Sequence, residues 1–143
     1  MINAVKNTIN HILSKPKTLF LIDGLGAMLT AFLLFVVLRN FNEYFGMPKL
    51  ILTYLSIIAM CFCIYATTCF FFLKGNWIPF IKVISYANLL YCMLTILLLI
   101  CYYPMLTTIG LIYFLIEVAI ILVLTSVEFK VATTLQQKAQ NTT

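Results

Sequence analysis

Four long runs of apolar residues dominate the hydrophobic pattern of the chain. They lie at residues 18–38, 50–73, 78–102 and 106–129, and short polar segments separate them. Each run has the length of about 20 residues that an α-helix needs to cross the hydrocarbon core of a bilayer. The runs are continuously apolar, without the alternation of barrel strands. The pattern therefore predicts an all-α fold, an antiparallel four-helix transmembrane bundle.

The four prolines support these boundaries independently. One proline lies at or just before the start of each run: Pro16, Pro48, Pro79 and Pro104. Proline is tolerated in the first turn of a helix, because an N–H group there would have no partner in any case. Two of the three connections between the runs are tight turns, and short connections make consecutive helices antiparallel neighbours. The longest connection is the one at residues 39–49.

The chain divides into three parts on this pattern. Residues 17–130 form the transmembrane domain. In residues 1–16, apolar side chains recur at helical spacing opposite polar ones, which predicts a short amphipathic helix in the cytoplasmic headgroup region. A polar tail without a helix is the alternative for this segment. Residues 131–143 are polar, and we expect a cytoplasmic tail that is disordered beyond the last helical turn.

Composition and charge agree with a membrane protein. Hydrophobic residues make up 64% of the chain and charged residues 9%, against about 25% charged residues in soluble domains. The net charge of +5 comes from scattered residues, without the basic run that nucleic-acid binding would favour. One side of the predicted bundle carries seven lysines, whereas the other carries only Arg39 and Lys49. The positive-inside rule then places both termini in the cytoplasm. The seven are Lys6, Lys15, Lys17, Lys74, Lys82, Lys130 and Lys138.

Metal, cofactor and covalent chemistry have little support in the sequence. The five cysteines all lie inside apolar runs, where cysteine behaves as a small hydrophobic residue. There is no CxxC pair, and His11 is the one histidine, so we expect neither a metal site nor a cofactor. No catalytic triad can be assembled, so we expect no enzyme activity. An acid–base site of Asp, Glu, Asn and Tyr side chains that acts on a lipid is the alternative.

Ionisable residues inside the runs are the best candidates for a binding site, because they are costly in hydrocarbon. Glu117 lies in the middle of the fourth run, and Asn88 lies at a similar depth in the third, which predicts a hydrogen bond between them. A second predicted pair joins Asp23 of the first run to Tyr65 of the second. Glu128, beside Lys130, is interpreted as an ordinary boundary residue. The candidate binding residues are Asp23, Tyr65, Asn88, Tyr91, Tyr113 and Glu117.

Polar stripes on the second and third runs are predicted to line a common interior. The structural alternative is that these side chains, and the candidate residues, only hold helices together by hydrogen bonds. The stripe on the second run consists of Tyr54, Cys61, Tyr65 and Thr68, and the stripe on the third of Ser85, Asn88, Cys92 and Thr95.

Three segments carry a resemblance to known sequences: LIDGLGA at 21–27, FGMP at 45–48 and ANLLYC at 87–92. With Tyr113 and Glu117 downstream, the chain resembles a group of small, uncharacterised four-span bacterial membrane proteins, roughly from Lys17 to Lys130. The resemblance implies the four-span fold and a bacterial inner-membrane setting. It implies no activity.

These observations lead to an expected function class. We expect a non-enzymatic integral membrane protein that acts as a binding, scaffolding or accessory subunit, with the lipid bilayer and a second copy or another membrane protein as partners. The alternative is a small proton-coupled transporter or exporter that uses Glu117. Small multidrug exporters also have four spans and a central carboxylate, but theirs lies on the first helix, whereas Glu117 lies on the fourth.

Overall fold

A computed structural model describes residues 15–141, together with Asn7 and His11. Most of the segment 1–16, predicted to be an amphipathic helix, lies outside the described residues. Within the described part the fold is all-α, and the four-helix bundle is confirmed. The four helices are long and apolar enough to cross a membrane, so the chain is a multi-pass membrane protein. They are α1 (Lys17–Phe32), α2 (Lys49–Phe72), α3 (Ile78–Cys101) and α4 (Thr108–Gln140).

The ends of the helices follow the apolar runs closely, with one exception. A π-helical turn, Leu33–Leu38, continues α1 to the predicted end of the first run. The exception is α4, which stays helical to Gln140, so the expectation of disorder beyond the last turn of the run is wrong for residues 133–140. The segment after Glu128 contains neither glycine nor proline, and it includes the good helix formers Ala, Leu, Gln and Lys.

The bundle consists of two tightly packed helical hairpins. The helix α1 packs mainly against α2, and α3 packs mainly against α4. Gly24 of α1 lies in this contact, and a Cβ atom there would be in ordinary van der Waals contact with α2, 3.5 Å from the Thr67 hydroxyl and 3.6 Å from the Ala66 methyl. Small residues at a helix interface are a common means of packing in membranes.

Two apolar clusters close the two ends of the bundle, and each contains residues of all four helices. We name them by their distance from the chain termini. The proximal cluster consists of Leu19, Phe20, Ala66, Cys69, Ile81, Ile84, Val131 and Ala132. The distal cluster consists of Leu34, Leu38, Met47, Leu52, Leu55, Tyr91, Leu99 and Phe114. The polar side chains of the interior therefore lie between two apolar layers.

The long connection after α1 ties the two hairpins together at the distal end. It contains a single helical turn, Asn42–Phe45, which ends at Gly46 with a φ of +75°. The Thr107 hydroxyl donates to the Tyr44 carbonyl and accepts from the backbone N–H of Gly110, which caps α4. Gly110 is buried against this turn, and a Cβ atom there would clash with the Phe45 carbonyl.

The close approach at Gly110 generates a testable prediction. We expect Gly110→Ala to lower the free energy of unfolding by about 1–3 kcal/mol, because the added methyl overpacks the contact with the Phe45 carbonyl. The measurement is reversible unfolding of the purified protein by increasing SDS. Gly26→Ala is the matched control, since a Cβ atom at Gly26 meets nothing within 4 Å. Equal stability of the two variants would show that the turn does not pack on α4 as described.

Candidate functional site: an acidic cavity inside the bundle

A cavity of about 300 Å³ lies between the four helices, in the layer between the proximal and distal clusters. Most of its wall is apolar, and no lysine, arginine or histidine of the described residues lines it. Its polar wall therefore has acidic groups and no basic group to balance them. The polar lining residues are Asp23, Thr30, Asn88, Tyr91, Tyr113 and Glu117.

The cavity opens sideways, between α1 and α4. Leu29 of α1 and Ile120 of α4 both line it, and they are 58% and 63% exposed on the outer surface. Gly26 is also exposed on the α1 side of the opening. In a bilayer this outer surface faces lipid, so the opening connects the cavity to the hydrocarbon core and not to either aqueous side.

Glu117 of α4 forms the first acidic centre of the cavity. The Tyr91 hydroxyl of α3 donates to Glu117 Oε1 at 3.1 Å. The other oxygen, Oε2, has no hydrogen-bond partner among the described residues, although the side chain is only 8% exposed. Tyr113 lies one turn before Glu117 and lines the same cavity. The first centre thus keeps one acceptor oxygen without a partner.

Asp23 of α1 and Glu128 of α4 form the second acidic centre. Their carboxyl groups are neighbours, and the Asn88 amide of α3 donates to Glu128 Oε1 at 3.0 Å. Asp23 is 5% exposed, and neither of its oxygens has a hydrogen-bond partner of good geometry within the described part of the chain. Three helices therefore meet at this centre, and Asp23 and Asn88 are the members that line the cavity.

The two hydrogen-bonded pairs predicted from depth are wrong. Asn88 donates to Glu128 instead of Glu117, and Glu117 accepts from Tyr91. The Tyr65 hydroxyl donates to the Phe80 carbonyl at 3.3 Å, whereas Asp23 lies beside Glu128. Depth along a helix locates the Cα atom, but long Glu and Tyr side chains carry their polar atoms about a turn away from it.

Glu128 is a functional candidate that the sequence reasoning missed. The boundary interpretation is wrong, because the side chain is fully buried, with 0% of its surface exposed. A signal was present in the spacing, since Glu128 follows Glu117 by eleven residues. Eleven residues make about three helical turns, so the two carboxylates lie on the same face of α4.

The polar stripe on α3 is buried as predicted, but the stripe on α2 is not. Ser85, Cys92 and Thr95 are buried on the inner face of α3. On α2, by contrast, the side chains of Cys61 and Thr68 lie exposed on the outer surface. The Thr68 hydroxyl donates to the Ile64 carbonyl of its own helix. A threonine satisfied in this way can face lipid, so its polarity does not reveal the inner face.

Five of the six candidate binding residues line the cavity, and Tyr65 does not. The five are Asp23, Asn88, Tyr91, Tyr113 and Glu117. Among the described residues, no three His, Cys, Asp or Glu side chains are grouped closely enough to hold a metal ion. The cavity as described can accept hydrogen bonds through carboxyl oxygens and enclose an apolar group.

The hydrogen bond at the first centre generates a second prediction. We expect Tyr91→Phe to lower the free energy of unfolding by about 1 kcal/mol, the scale of interhelical hydrogen bonds in membranes. The matched control is Tyr86→Phe on the same helix, since the Tyr86 side chain is exposed on the outer surface. SDS unfolding measures both changes. In a Glu117→Leu background the loss should vanish, because the acceptor is gone; an unchanged loss would contradict the bond.

The site combines tyrosine hydroxyls, apolar surface and two buried carboxyl groups that keep oxygens without a hydrogen-bond partner among the described residues, and its cavity is reached from the lipid side. The chain matches no protein-family model, no curated protein and no solved structure.

Proposed function

We propose that this chain is a membrane-embedded binding protein. Its cavity takes up a small amphiphilic molecule from the bilayer through the opening between α1 and α4. The observation that carries the proposal is the pair of buried carboxyl groups, Asp23 and Glu117, which line one cavity and keep oxygens without a hydrogen-bond partner among the described residues. Buried acceptors without partners are rare in folded proteins, because each one costs free energy.

The acidic wall determines the chemical class of the ligand. A carboxyl group removed from water is stabilised by a hydrogen-bond donor or a positive charge. The wall offers no cation of its own among the described residues, so the ligand would supply the donor or the charge. The apolar remainder of the wall favours a hydrocarbon portion. A phosphate headgroup would be repelled by Asp23 and Glu117.

Sideways access fits binding better than passage across the membrane. The proximal and distal clusters separate the cavity from both ends of the bundle. A ligand can therefore exchange with lipid without any rearrangement of these clusters.

A proton-coupled transporter remains the second candidate, because Glu117 is buried with one free acceptor oxygen. Such a transporter would have to open each cluster in turn. Accumulation of a lipophilic amine in proteoliposomes, driven by a pH gradient and lost in Glu117→Gln, would separate transport from binding.

For the location we propose the bacterial inner membrane with both termini in the cytoplasm. The asymmetry of positive charge supports this orientation. Lys82 of α3 belongs to the proximal end, as its ammonium group donates to Gln136 of α4 at 2.9 Å. Arg39 and Lys49 lie in or next to the distal connection. We place the protein as a non-enzymatic accessory subunit in contact with lipid and with a second copy or another membrane protein.

The proposed orientation predicts the activity of reporter fusions. Alkaline phosphatase joined after Thr143 should be inactive, because the enzyme needs the oxidising periplasm for its disulfides. The same reporter joined after Asn42, in the distal connection, should be active. A green fluorescent protein at each position should show the reverse pattern. Phosphatase activity of the fusion at Thr143 would contradict the proposed orientation and place the C-terminus in the periplasm.

Blocking the opening tests the proposed binding function. In nanodiscs, n-octylamine should raise the thermal unfolding midpoint of the wild type, since a ligand that binds only the folded state stabilises it. Gly26→Trp should abolish this shift, because the indole ring would fill the opening. Leu25→Trp is the matched control, as Leu25 is exposed on the outer surface beside Gly26 and does not line the cavity.

Two measurements guard against an indirect effect of the tryptophan. The unfolding midpoint without amine should agree between the two variants, and Ile120→Trp should block the opening from the α4 side. The proposed function would be overturned if n-octylamine raised the unfolding midpoint of Gly26→Trp as much as that of the wild type. It would also be overturned if n-octylamine did not raise the midpoint of the wild type.

A further inference from the structure

We propose that the cavity is built for a linear molecule with an amine at each end and a hydrocarbon chain between them. This inference rests on the proposed function, since it names the ligand class of the same cavity. The one cavity contains two separate acidic centres, and a ligand with a single amine can satisfy only one of them. The two centres are Glu117 with Tyr91 and Tyr113, and Asp23 with Asn88 and Glu128.

Each centre has an unpartnered acceptor that is more than nine-tenths buried. At the first centre it is Glu117 Oε2, and at the second it is both oxygens of Asp23. Both side chains line the cavity, so a ligand inside it lies next to both residues. Glu117 Oε2 therefore indicates a missing donor at the first centre, and at the second centre the Asp23 carboxyl lies beside Glu128 and Asn88.

The helices set limits on the separation of the two centres. Glu117 and Glu128 are eleven residues apart on α4, which places their Cα atoms about 16 Å apart along the axis. Their hydrogen-bond partners on α3, Tyr91 and Asn88, are three residues apart, or about 4.5 Å along that axis. The long side chains of α4 close most of this difference. The amines of the ligand should therefore be separated by an intermediate distance.

The wall between the two centres is apolar. Ile120, Ile121 and Leu124 line the cavity and lie between Glu117 and Glu128 along α4, and the Phe62 ring of α2 lines the cavity beside Tyr91. A hydroxylated or charged linker would lose its hydration there without compensation. A methylene chain, in contrast, has no hydration to lose and matches the apolar wall. The geometry thus favours an α,ω-diamine with a plain hydrocarbon chain.

The experiment compares diamines with monoamines of equal chain length. Chains of four, six, eight and ten carbons are titrated into the wild-type protein in nanodiscs, and the affinity is measured by calorimetry. We expect the best diamine to lie inside this series and to bind at least about tenfold tighter than its monoamine, a difference of about 1.4 kcal/mol. The α,ω-diol of the same length should bind at least as weakly as the monoamine.

Variants assign each amine to its centre. Asp23→Asn and Glu117→Gln should each reduce the affinity for the best diamine to that of the monoamine, because one of the two contacts is lost. Glu43→Gln is the control for loss of a negative charge, as Glu43 is exposed in the distal connection. It should leave the affinity unchanged. Thermal unfolding without ligand shows that each variant is folded, and the two carboxyl variants provide independent tests.

The outcomes separate this inference from the proposed function. If the monoamine binds as tightly as every diamine, the inference of a ligand with two amines is overturned, while the proposed binding function stands. If the diol matches the diamine, the amine assignment is overturned. If none of these molecules binds, both proposals are overturned. A diamine preference that survives in Asp23→Asn and in Glu117→Gln would overturn the assignment of the two centres.

Discussion

The cost of leaving a polar group without a partner in hydrocarbon is the constraint on which the rest of this structure depends. Serine and threonine meet it locally, as Thr68 does by donating to a carbonyl of its own helix. An ionised carboxylate has no proton to donate to a carbonyl of its own helix. Its oxygens therefore need hydrogen-bond partners from other helices. Asp23, Glu117 and Glu128 are for this reason drawn to the inside of the bundle.

The same constraint explains how two hairpins become one bundle. Within the second hairpin, the Asn88–Glu128 and Tyr91–Glu117 hydrogen bonds join α3 to α4. Between the hairpins, polar contacts recur at several levels, from the Tyr65 hydroxyl on the Phe80 carbonyl to the Asp23–Glu128 pair. The distal connection adds the Thr107 contacts with the Tyr44 and Phe45 carbonyls. Polar contacts thus join the two hairpins at both ends and in the middle of the bundle, and the cavity lies between the hairpins.

The sequence predicted the features that depend on one helix at a time. The spans follow from apolar length, and the burial of Glu117 follows from its depth. The pairing of side chains could not be predicted, because it depends on which faces meet and on how far Tyr91 and Glu128 reach along their helices. The prediction that the polar stripe on α2 faces the interior was wrong for a related reason. Polarity on a helix marks its inner face only where the side chain cannot be satisfied by its own backbone.

A cavity between apolar layers has a direct energetic consequence for function. Opening either end would expose the proximal or the distal cluster to water, at about 25 cal/mol for each Å² of apolar surface. Opening the side between α1 and α4 exposes apolar residues only to lipid, which is as apolar as they are. The sideways route is therefore the one of low cost. Under the proposed binding function, the acidic centres would meet only molecules that have already partitioned into the bilayer, so the membrane itself would select and concentrate the ligands that reach Asp23 and Glu117.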